Sequence, residues 1–93
     1  MGKAEYKVKG GKLIKIQLTK KNNKIEKIKV TGDFFLHPEE IIDDLEDYLV
    51  GQSISQEILE KRIKNFLEDR KAILLGATPE DFARCIMMVK DDG

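Results

Sequence analysis

The amino-acid sequence predicts one α+β domain over residues 1–93, built as two layers with elements in the order βββααα. Apolar and charged residues alternate in the first third of the chain, which indicates strands with one apolar face. Beyond residue 37, apolar residues recur at helical spacing instead. We therefore expect a three-stranded antiparallel sheet, with about three helices packed on its apolar face.

Three segments have the period of a half-buried strand: EYKVK (5–9), KLIKIQLTK (12–20) and KIEKIKVTG (24–32). The links between them are only a glycine pair, Gly10 and Gly11, and the turn KNN (21–23). Links this short join neighbouring antiparallel strands, so the sheet should be a meander. Its outer face should carry lysines: Lys7, Lys9, Lys15, Lys27 and Lys29.

Three helices follow. Pro38 suits the first position of the first helix, which should end before Gly51, and Ser55 can cap the second. Thr78 in TPED (78–81) should cap the third, with Pro79 at its first position. The predicted apolar stripes are Ile41, Ile42, Leu45, Tyr48 and Leu49, then Leu59, Ile63, Phe66 and Leu67, then Phe82, Ile86 and Val89.

Two segments carry further expectations. The apolar run AILLGA (72–77) is either a buried strand or a buried turn, and its period does not decide between them. In the turn after Gly32, Asp33 should bond turn amides, and one of Phe34 and Phe35 should fill the gap between the sheet and the first helix. The other ring would stay exposed for a partner. Residues 91–93 should fray.

Charge is divided along the chain, although the net charge is zero. Ten lysines against two glutamates make residues 1–32 carry +8, and fifteen acids against seven bases make residues 33–93 carry −8. This predicts one basic and one acidic surface, as in a docking protein. The single cysteine, the lack of a membrane-spanning run and the lack of a signal-peptide core together predict a cytoplasmic protein.

The motifs GxSxG, Walker A and GxGxxG are missing, and His37 has no second His or Cys nearby at metal-ligand spacing, so we expect no catalytic residue and no metal ligand. His37 is single and precedes a helix, which favours a loop role. Cys85 lies among apolar residues and should be a packing residue rather than a reactive thiolate. The acidic run 39–47 is either a solvated helix face or a partner surface.

The loop KGGK (9–12) has two interpretations. It is either a tight hairpin, or a backbone that lets an anion approach between Lys9 and Lys12. The lysine-rich outer face is likewise either a solubilising surface or a nucleic-acid site. Sheets that read single strands stack bases on exposed aromatic rings. The strands' one aromatic residue, Tyr6, falls on the apolar side, which argues against nucleic acid.

The string KGGKLIKIQLTKKNNKIEKIKVTGDFFLHPEEIIDDLEDYLVG (9–51), followed by GATPED (76–81), resembles the small C-terminal domain of lipoate–protein ligases. It is most similar to the form found as a separate short chain, chiefly in archaea. GDFF-x-x-PEE is the specific part of this resemblance, which is weakest over residues 52–72. The family also resembles the fold of iron–sulfur scaffold proteins, but the cysteines that those proteins need are absent here.

This resemblance implies an accessory subunit that is inactive alone. A large catalytic subunit would bind ATP, Mg²⁺ and lipoate, form lipoyl-adenylate and transfer the lipoyl group to a lysine of a carrier domain. The small chain would form a heterodimer with it, with Asp33, Phe34 and Phe35 at the interface. From the KGGK loop itself, and not from the resemblance, we hypothesise that Lys9, Gly10, Gly11 and Lys12 lie near the nucleotide phosphates. The alternatives are a free-standing module for an anionic partner such as RNA, and an iron–sulfur assembly factor.

Overall fold

The three strands of the first third form one antiparallel sheet in the order β1-β2-β3. The structure is a computed structural model that describes residues 2–90. Its elements are β1 (Gly2–Lys7), β2 (Leu13–Lys21), β3 (Lys24–Gly32), β4 (Phe35–His37), α1 (Ile41–Leu49), α2 (Gln56–Asp69), β5 (Ile73–Leu75) and α3 (Pro79–Met88). The prediction of an α+β domain with a three-stranded antiparallel sheet and three helices is therefore confirmed. The predicted fraying of residues 91–93 lies outside the described residues.

The register of the sheet places apolar side chains on one face. Ile16 of the central strand lies between Ala4 of β1 and Val30 of β3. Its side chain is 1% exposed, and Ile14 and Leu18 on the same strand are fully buried. The opposite face carries five exposed lysines, which we call the lysine face: Lys3, Lys7, Lys15, Lys27 and Lys29. Lys9 was predicted on this face, but β1 ends at Lys7 and Lys9 lies in the following loop.

The turn between β2 and β3 has the predicted chemistry. Asn22 and Asn23 adopt φ values of 53° and 60°, in the left-handed region that asparagine tolerates better than most residues. An irregularity in register follows Thr19, so that Thr19 pairs with Lys27 and Lys20 pairs with Ile25. This shift keeps Ile25 in the core, where it is 1% exposed.

The starts of the helices agree only partly with the sequence. Helix α1 begins at Ile41, and the amides of Ile41 and Ile42 bond the carbonyls of Pro38 and Glu39. Pro38 therefore precedes the helix in a turn, and its prediction as the first helical residue was wrong. Ser55 occupies the cap position of α2, but within the described residues its side chain makes no capping hydrogen bond.

Helix α3 begins as predicted. The Asp81 amide donates to the Thr78 hydroxyl, the Asp81 carboxylate accepts from the Thr78 amide, and Pro79 follows the cap. This reciprocal pair satisfies two amides that would otherwise lack partners at the helix start. It fixes where the chain leaves the loop that follows β5.

The core lies between the sheet and the helices. Helix α3 packs on β1 and β2, α1 packs on β3, and α2 packs on α3. Most of the predicted stripes are buried: Ile41, Leu45, Leu49, Leu59, Ile63, Phe66, Leu67, Phe82, Ile86 and Val89. Ile42 and Tyr48 are partly buried against this core.

Helix α1 and the segment after it close the outer edge of β3. The Val30 amide donates to Glu46 Oε2 over 2.6 Å. The Ile25 amide donates to the Gln52 carbonyl over 3.0 Å, and the Ile25 carbonyl accepts from the Gly51 amide over 2.7 Å. Within the acidic run, Glu46 therefore has a structural role, because its carboxylate bonds the edge of the sheet.

Two short strands form a separate antiparallel ribbon: β4, which the sequence did not predict, and β5, which was one of two alternatives for its segment. Phe35 pairs with Leu75, Leu36 with Leu74, and His37 with Ile73. The open question about residues 72–77 is thereby answered in favour of a strand. This strand is not a buried one, however, because Ile73 is 52% and Leu75 58% exposed.

Candidate functional site

The KGGK loop is a tight hairpin turn whose glycine backbone faces open space. The Val8 amide donates to the Lys12 carbonyl over 2.7 Å, and the Gly11 amide donates to the Val8 carbonyl over 3.0 Å. Gly10 and Gly11 have φ values of 107° and 99°, which other residues rarely adopt. A Cβ atom at either glycine would meet nothing within 4 Å. The loop is therefore a hairpin whose backbone is also accessible to another molecule.

Lys12 joins this loop to the end of the ribbon. Its alkyl chain lies over Gly76, where a Cβ atom would stand 2.8 Å from Lys12 Cγ. Gly76 directly follows Leu75, the last residue of β5. The structure therefore brings the KGGK loop and the ribbon to the same end of the molecule, although more than 60 residues separate Lys12 from Gly76 along the chain.

Asp33 fastens the GDFF turn to the start of β2. Its Oδ1 accepts a hydrogen bond from the Leu13 amide over 2.5 Å, and its own amide donates to the Leu13 carbonyl over 3.1 Å. The predicted contact of Asp33 with turn amides is therefore replaced by a contact across the strand pair. This carboxylate is committed to the fold, next to Lys12.

The two phenylalanines of the GDFF turn lie in different environments. Phe34 is partly buried, and its ring meets that of Phe82 edge-on, with 4.9 Å between centroids and an angle of 86°. Phe34 thus packs against α3, and it also lines a shallow groove with Ile42 of the first helix. Phe35 points outwards and is 49% exposed. One ring packs inside and the other does not, as two adjacent residues in extended backbone require.

Phe35 belongs to an exposed set of side chains that we call the ribbon face: Phe35, His37, Ile73 and Leu75. Phe35 opposes Leu75 and His37 opposes Ile73, so the four side chains occupy one side of the ribbon. The rings of Phe35 and His37 stack with centroids 6.2 Å apart and nearly parallel planes, at 4°. Three of the four are apolar and about half exposed.

The acidic run 39–47 is divided between several roles. Asp44 accepts from Arg70 of α2 over 2.9 Å, and Glu46 bonds the edge of β3. Between α1 and α2 lies an open groove of about 790 Å³, lined by acids and by the exposed Arg70, whose guanidinium lies over the buried ring of Phe66. Its lining residues are Asp44, Asp47, Tyr48, Asn65, Phe66, Glu68, Asp69 and Arg70.

Cys85 lies in the core beneath the sheet, with Sγ 3.7 Å from the carbonyl oxygens of Ala4 and Ile14. Burial, and to a smaller extent the charge of Glu5, raises the pKa of the Cys85 thiol to about 11. The thiol is therefore protonated at neutral pH, which suits a packing residue rather than a nucleophile.

The part of the chain that the structure describes is residues 2–90. Across that range, no three side chains of histidine, cysteine, aspartate or glutamate are grouped closely enough to hold a metal ion. The helices of the same range are too short or too polar for any of them to cross a membrane. What the described part of the chain does offer is two adjoining exposed features, the KGGK loop and the ribbon face.

Ile73, Leu75 and His37 are the candidate residues that sequence reasoning missed. Ile73 and Leu75 lie in a run of three apolar residues, ILL, whose chemical types do not alternate, so the sequence gives no sign that these two side chains face solvent. The pairing of β5 with β4 joins residues that are more than 35 positions apart, and no local pattern carries that information.

Comparisons with known proteins agree with one another. The family model described as the bacterial lipoate protein ligase C-terminus matches residues 3–86. Lipoate-protein ligase A subunit 2 of Thermoplasma acidophilum is 37% identical over 84 residues, which are 90% of this chain and 85% of the relative.

A solved structure agrees in fold as well as in sequence. It is described as a bipartite lipoate protein ligase and its E2 lipoyl domain from Thermoplasma acidophilum. The matching chain in it superposes with a TM-score of 0.78 at 37% identity, over 92% of this chain and 94% of that one. Because nearly the whole of each chain is matched, the similarity extends to the overall extent of the chain and not only to a motif.

Proposed function

Because this chain belongs to the family of lipoate protein ligase C-termini, we propose that it is the accessory subunit of a lipoate–protein ligase. In this proposal it forms a heterodimer with a large catalytic subunit and is required there for ATP-dependent activation of lipoate to lipoyl-adenylate. The activated lipoyl group then passes to a lysine of a carrier domain, in the cytoplasm. The supporting observation is the near end-to-end match to a relative named as subunit 2 of such a ligase.

The chemistry of the chain supports a role without catalysis of its own. Cys85 is buried, and its thiol, with a pKa of about 11, holds its proton. His37 lies at the surface, where its ring stacks on that of Phe35. The large subunit would therefore bind ATP, Mg²⁺ and lipoate, and the small chain would complete the enzyme by binding to it.

The KGGK loop is the part of this chain that fits a phosphate. Its glycines leave the backbone open to an approaching group, and Lys9 and Lys12 flank it with positive charge. We include in the proposal that the loop lies near the nucleotide phosphates when the two subunits assemble. ATP supplies the adenylyl group, and Lys9 or Lys12 supplies a cation that stabilises negative charge as pyrophosphate leaves; the Gly11 amide already donates to Val8, so any backbone donor comes from its neighbours in the loop.

A pyrophosphate-release assay tests the function directly. Lipoate-dependent release should be absent with this chain alone and should depend on adding both this chain and the large subunit from the same organism. Turnover by the isolated chain would refute the accessory role. Retention on RNA at moderate salt, without any effect on the large subunit, would favour the alternative of a free-standing binding module.

The role of the loop needs its own variant pair. Lys12→Ala should slow adenylate formation by the mixed subunits by roughly tenfold to a hundredfold, the effect of losing one hydrogen bond to a charged group. Lys27→Ala removes an equally exposed lysine from the outer face of β3 and should leave the rate unchanged. If the two variants behave alike, Lys12 is not a donor to the nucleotide.

A further inference from the structure

We propose that the ribbon face is the surface through which this chain docks on the large catalytic subunit. The inference rests on the proposed function and adds to it a location. Phe35, Ile73 and Leu75 are 49%, 52% and 58% exposed and lie side by side on one side of the β4–β5 ribbon. Three large apolar side chains gathered on one short ribbon indicate a surface that another molecule covers.

The construction of the ribbon supports this reading. On its inner side Leu36 is 7% exposed and Leu74 packs against the core, so the ribbon already fills its internal contacts. The residues on its outer side contribute apolar area that the fold of this chain does not use. A two-stranded ribbon is marginal by itself, and covering its outer side would stabilise it.

The surroundings of the ribbon face have the layout of an interface. Protein interfaces place apolar residues at the centre and polar residues at the rim. Lys12 lies against Gly76 next to Leu75, the KGGK loop continues from it, and Lys71 precedes Ile73 by two residues. The rim is therefore basic on the sides that these residues form, which calls for acidic groups on the partner around an apolar centre.

The ribbon face alone is smaller than a stable protein interface. Three half-exposed side chains expose only a few hundred Å², whereas a stable interface buries about 800 Å² on each partner. The contact must therefore extend over the rim and include the KGGK loop. Docking there would bring the loop to the large subunit, which is where the proposed phosphate contact needs it.

A second copy of this chain is a poorer occupant. In a two-fold contact the same patch meets itself, so the rim lysines of both copies would approach each other. Like charges placed together across an interface oppose association. These charges favour a different partner, one with acidic groups around an apolar surface, and we assign that place to the large subunit.

The test measures binding of the large subunit to variants of this chain by calorimetry. Ile73→Ser and Leu75→Ser should each weaken binding by roughly tenfold to a hundredfold, as for central residues of an interface. The matched control is Ile58→Ser, because Ile58 is also a large exposed side chain, at 41%, and lies in the first turn of α2. It should bind as the unmodified chain does.

Folding is checked separately, so that loss of binding is not loss of structure. Thermal unfolding of each isolated variant should stay within a few degrees of the unmodified chain. Hydrogen exchange gives a second readout without any substitution, since the amides of 35–37 and 73–75 should exchange more slowly when the large subunit is added. Any variant that unfolds is replaced by this measurement on the unmodified chain.

The outcomes separate the two proposals. If the unmodified chain neither binds nor activates the large subunit, the proposed function fails and this inference fails with it. If it binds and activates but the ribbon variants bind equally well and the ribbon amides gain no protection, only the docking surface is wrong. A self-association of this chain that Leu75→Ser abolishes would assign the ribbon face to a second copy instead.

Discussion

The two sheets of this molecule present opposite surfaces to solvent. The three-stranded sheet buries its apolar side and shows the lysine face to water, whereas the two-stranded ribbon shows Phe35, Ile73 and Leu75. The larger sheet follows the ordinary division of a half-buried sheet. The ribbon departs from it, so the ribbon is where the chain has surface that its own fold does not require.

The contrast also separates two ways in which residues act in this protein. Side chains beneath the larger sheet determine the stability of the isolated chain. Side chains on the ribbon should affect association much more than stability. Substitutions of the same chemical type in the two regions therefore test this difference, and the effects we expect range from about 3 kcal/mol in the core to about 0.5 kcal/mol on the lysine face.

The largest expected effect is in the core. Ile16→Ala should lower the free energy of unfolding by about 3 kcal/mol, because it removes a fully enclosed side chain and leaves a cavity. Ile73→Ala makes the same change on the ribbon face and should cost less than about 1 kcal/mol. Urea denaturation of the two isolated variants measures both values. Equal losses would mean that the ribbon side chains are as much a part of the core as Ile16.

A pH dependence should come from the thiol beneath the sheet. The pKa of Cys85 is raised in the folded chain to about 11, from an ordinary value of 9.0. Above pH 9 the unfolded chain loses this proton first, so the folded chain holds more protons and its stability falls as pH rises. The stabilisation is complete below pH 9, and about 2 kcal/mol of it should be lost as pH approaches 11.

The control for this effect is Cys85→Ala, because the lysines also titrate in that range. The difference in unfolding free energy between the unmodified chain and Cys85→Ala should shrink as pH rises from 8 to 10.5. If the curves of unfolding free energy against pH are parallel for the two proteins, the Cys85 thiol is not shielded from water beneath the sheet.

A smaller effect is expected where the two regions meet. Asp33→Ala should cost about 1 kcal/mol of stability, since the Leu13 amide loses its carboxylate partner. Asp33→Asn keeps an acceptor and should recover part of that loss. Affinity for the large subunit, compared at a temperature where both variants are folded, should change little. A loss of affinity at unchanged stability would move Asp33 from the fold to the interface.

The smallest effect is expected on the lysine face. Replacing Lys27 and Lys29 together by glutamine should change stability by no more than about 0.5 kcal/mol per residue. Binding of the large subunit should also be unaffected, in contrast to the ribbon variants. If this pair weakens the complex as much as Leu75→Ser does, the docking surface is the larger sheet and the comparison is reversed.

Sequence reasoning succeeded where a long period exists. The alternation in β2 and β3 and the stripes of the helices were long enough to read, and the Thr78 capping box has a local signature. The start of α1 was misplaced because Pro38 suits both a helix start and a turn. The ribbon was missed because each of its strands has three residues and gains its structure only from the other.

The candidate site was predicted in pieces. The KGGK loop and the GDFF turn are visible as motifs, but their proximity depends on the Lys12 contact with Gly76 and on the Asp33 bond to Leu13. The direction of each phenylalanine depends on the geometry of the turn after Gly32, and this turn has no repeating sequence pattern that would reveal it. Phe82 decides it, because its ring occupies the space beside Phe34.

The closed edge of β3 has a consequence for the chain before it meets any partner. An open strand edge offers unpaired amides and carbonyls to other chains and so promotes aggregation. Here the Val30 amide donates a hydrogen bond to Glu46, and the backbone of Gly51 and Gln52 bonds the backbone of Ile25. The chain thus protects part of one side of its sheet with its own helix. We expect a variant that lacks the Glu46 carboxylate to aggregate more readily and to be recovered in lower yield on expression.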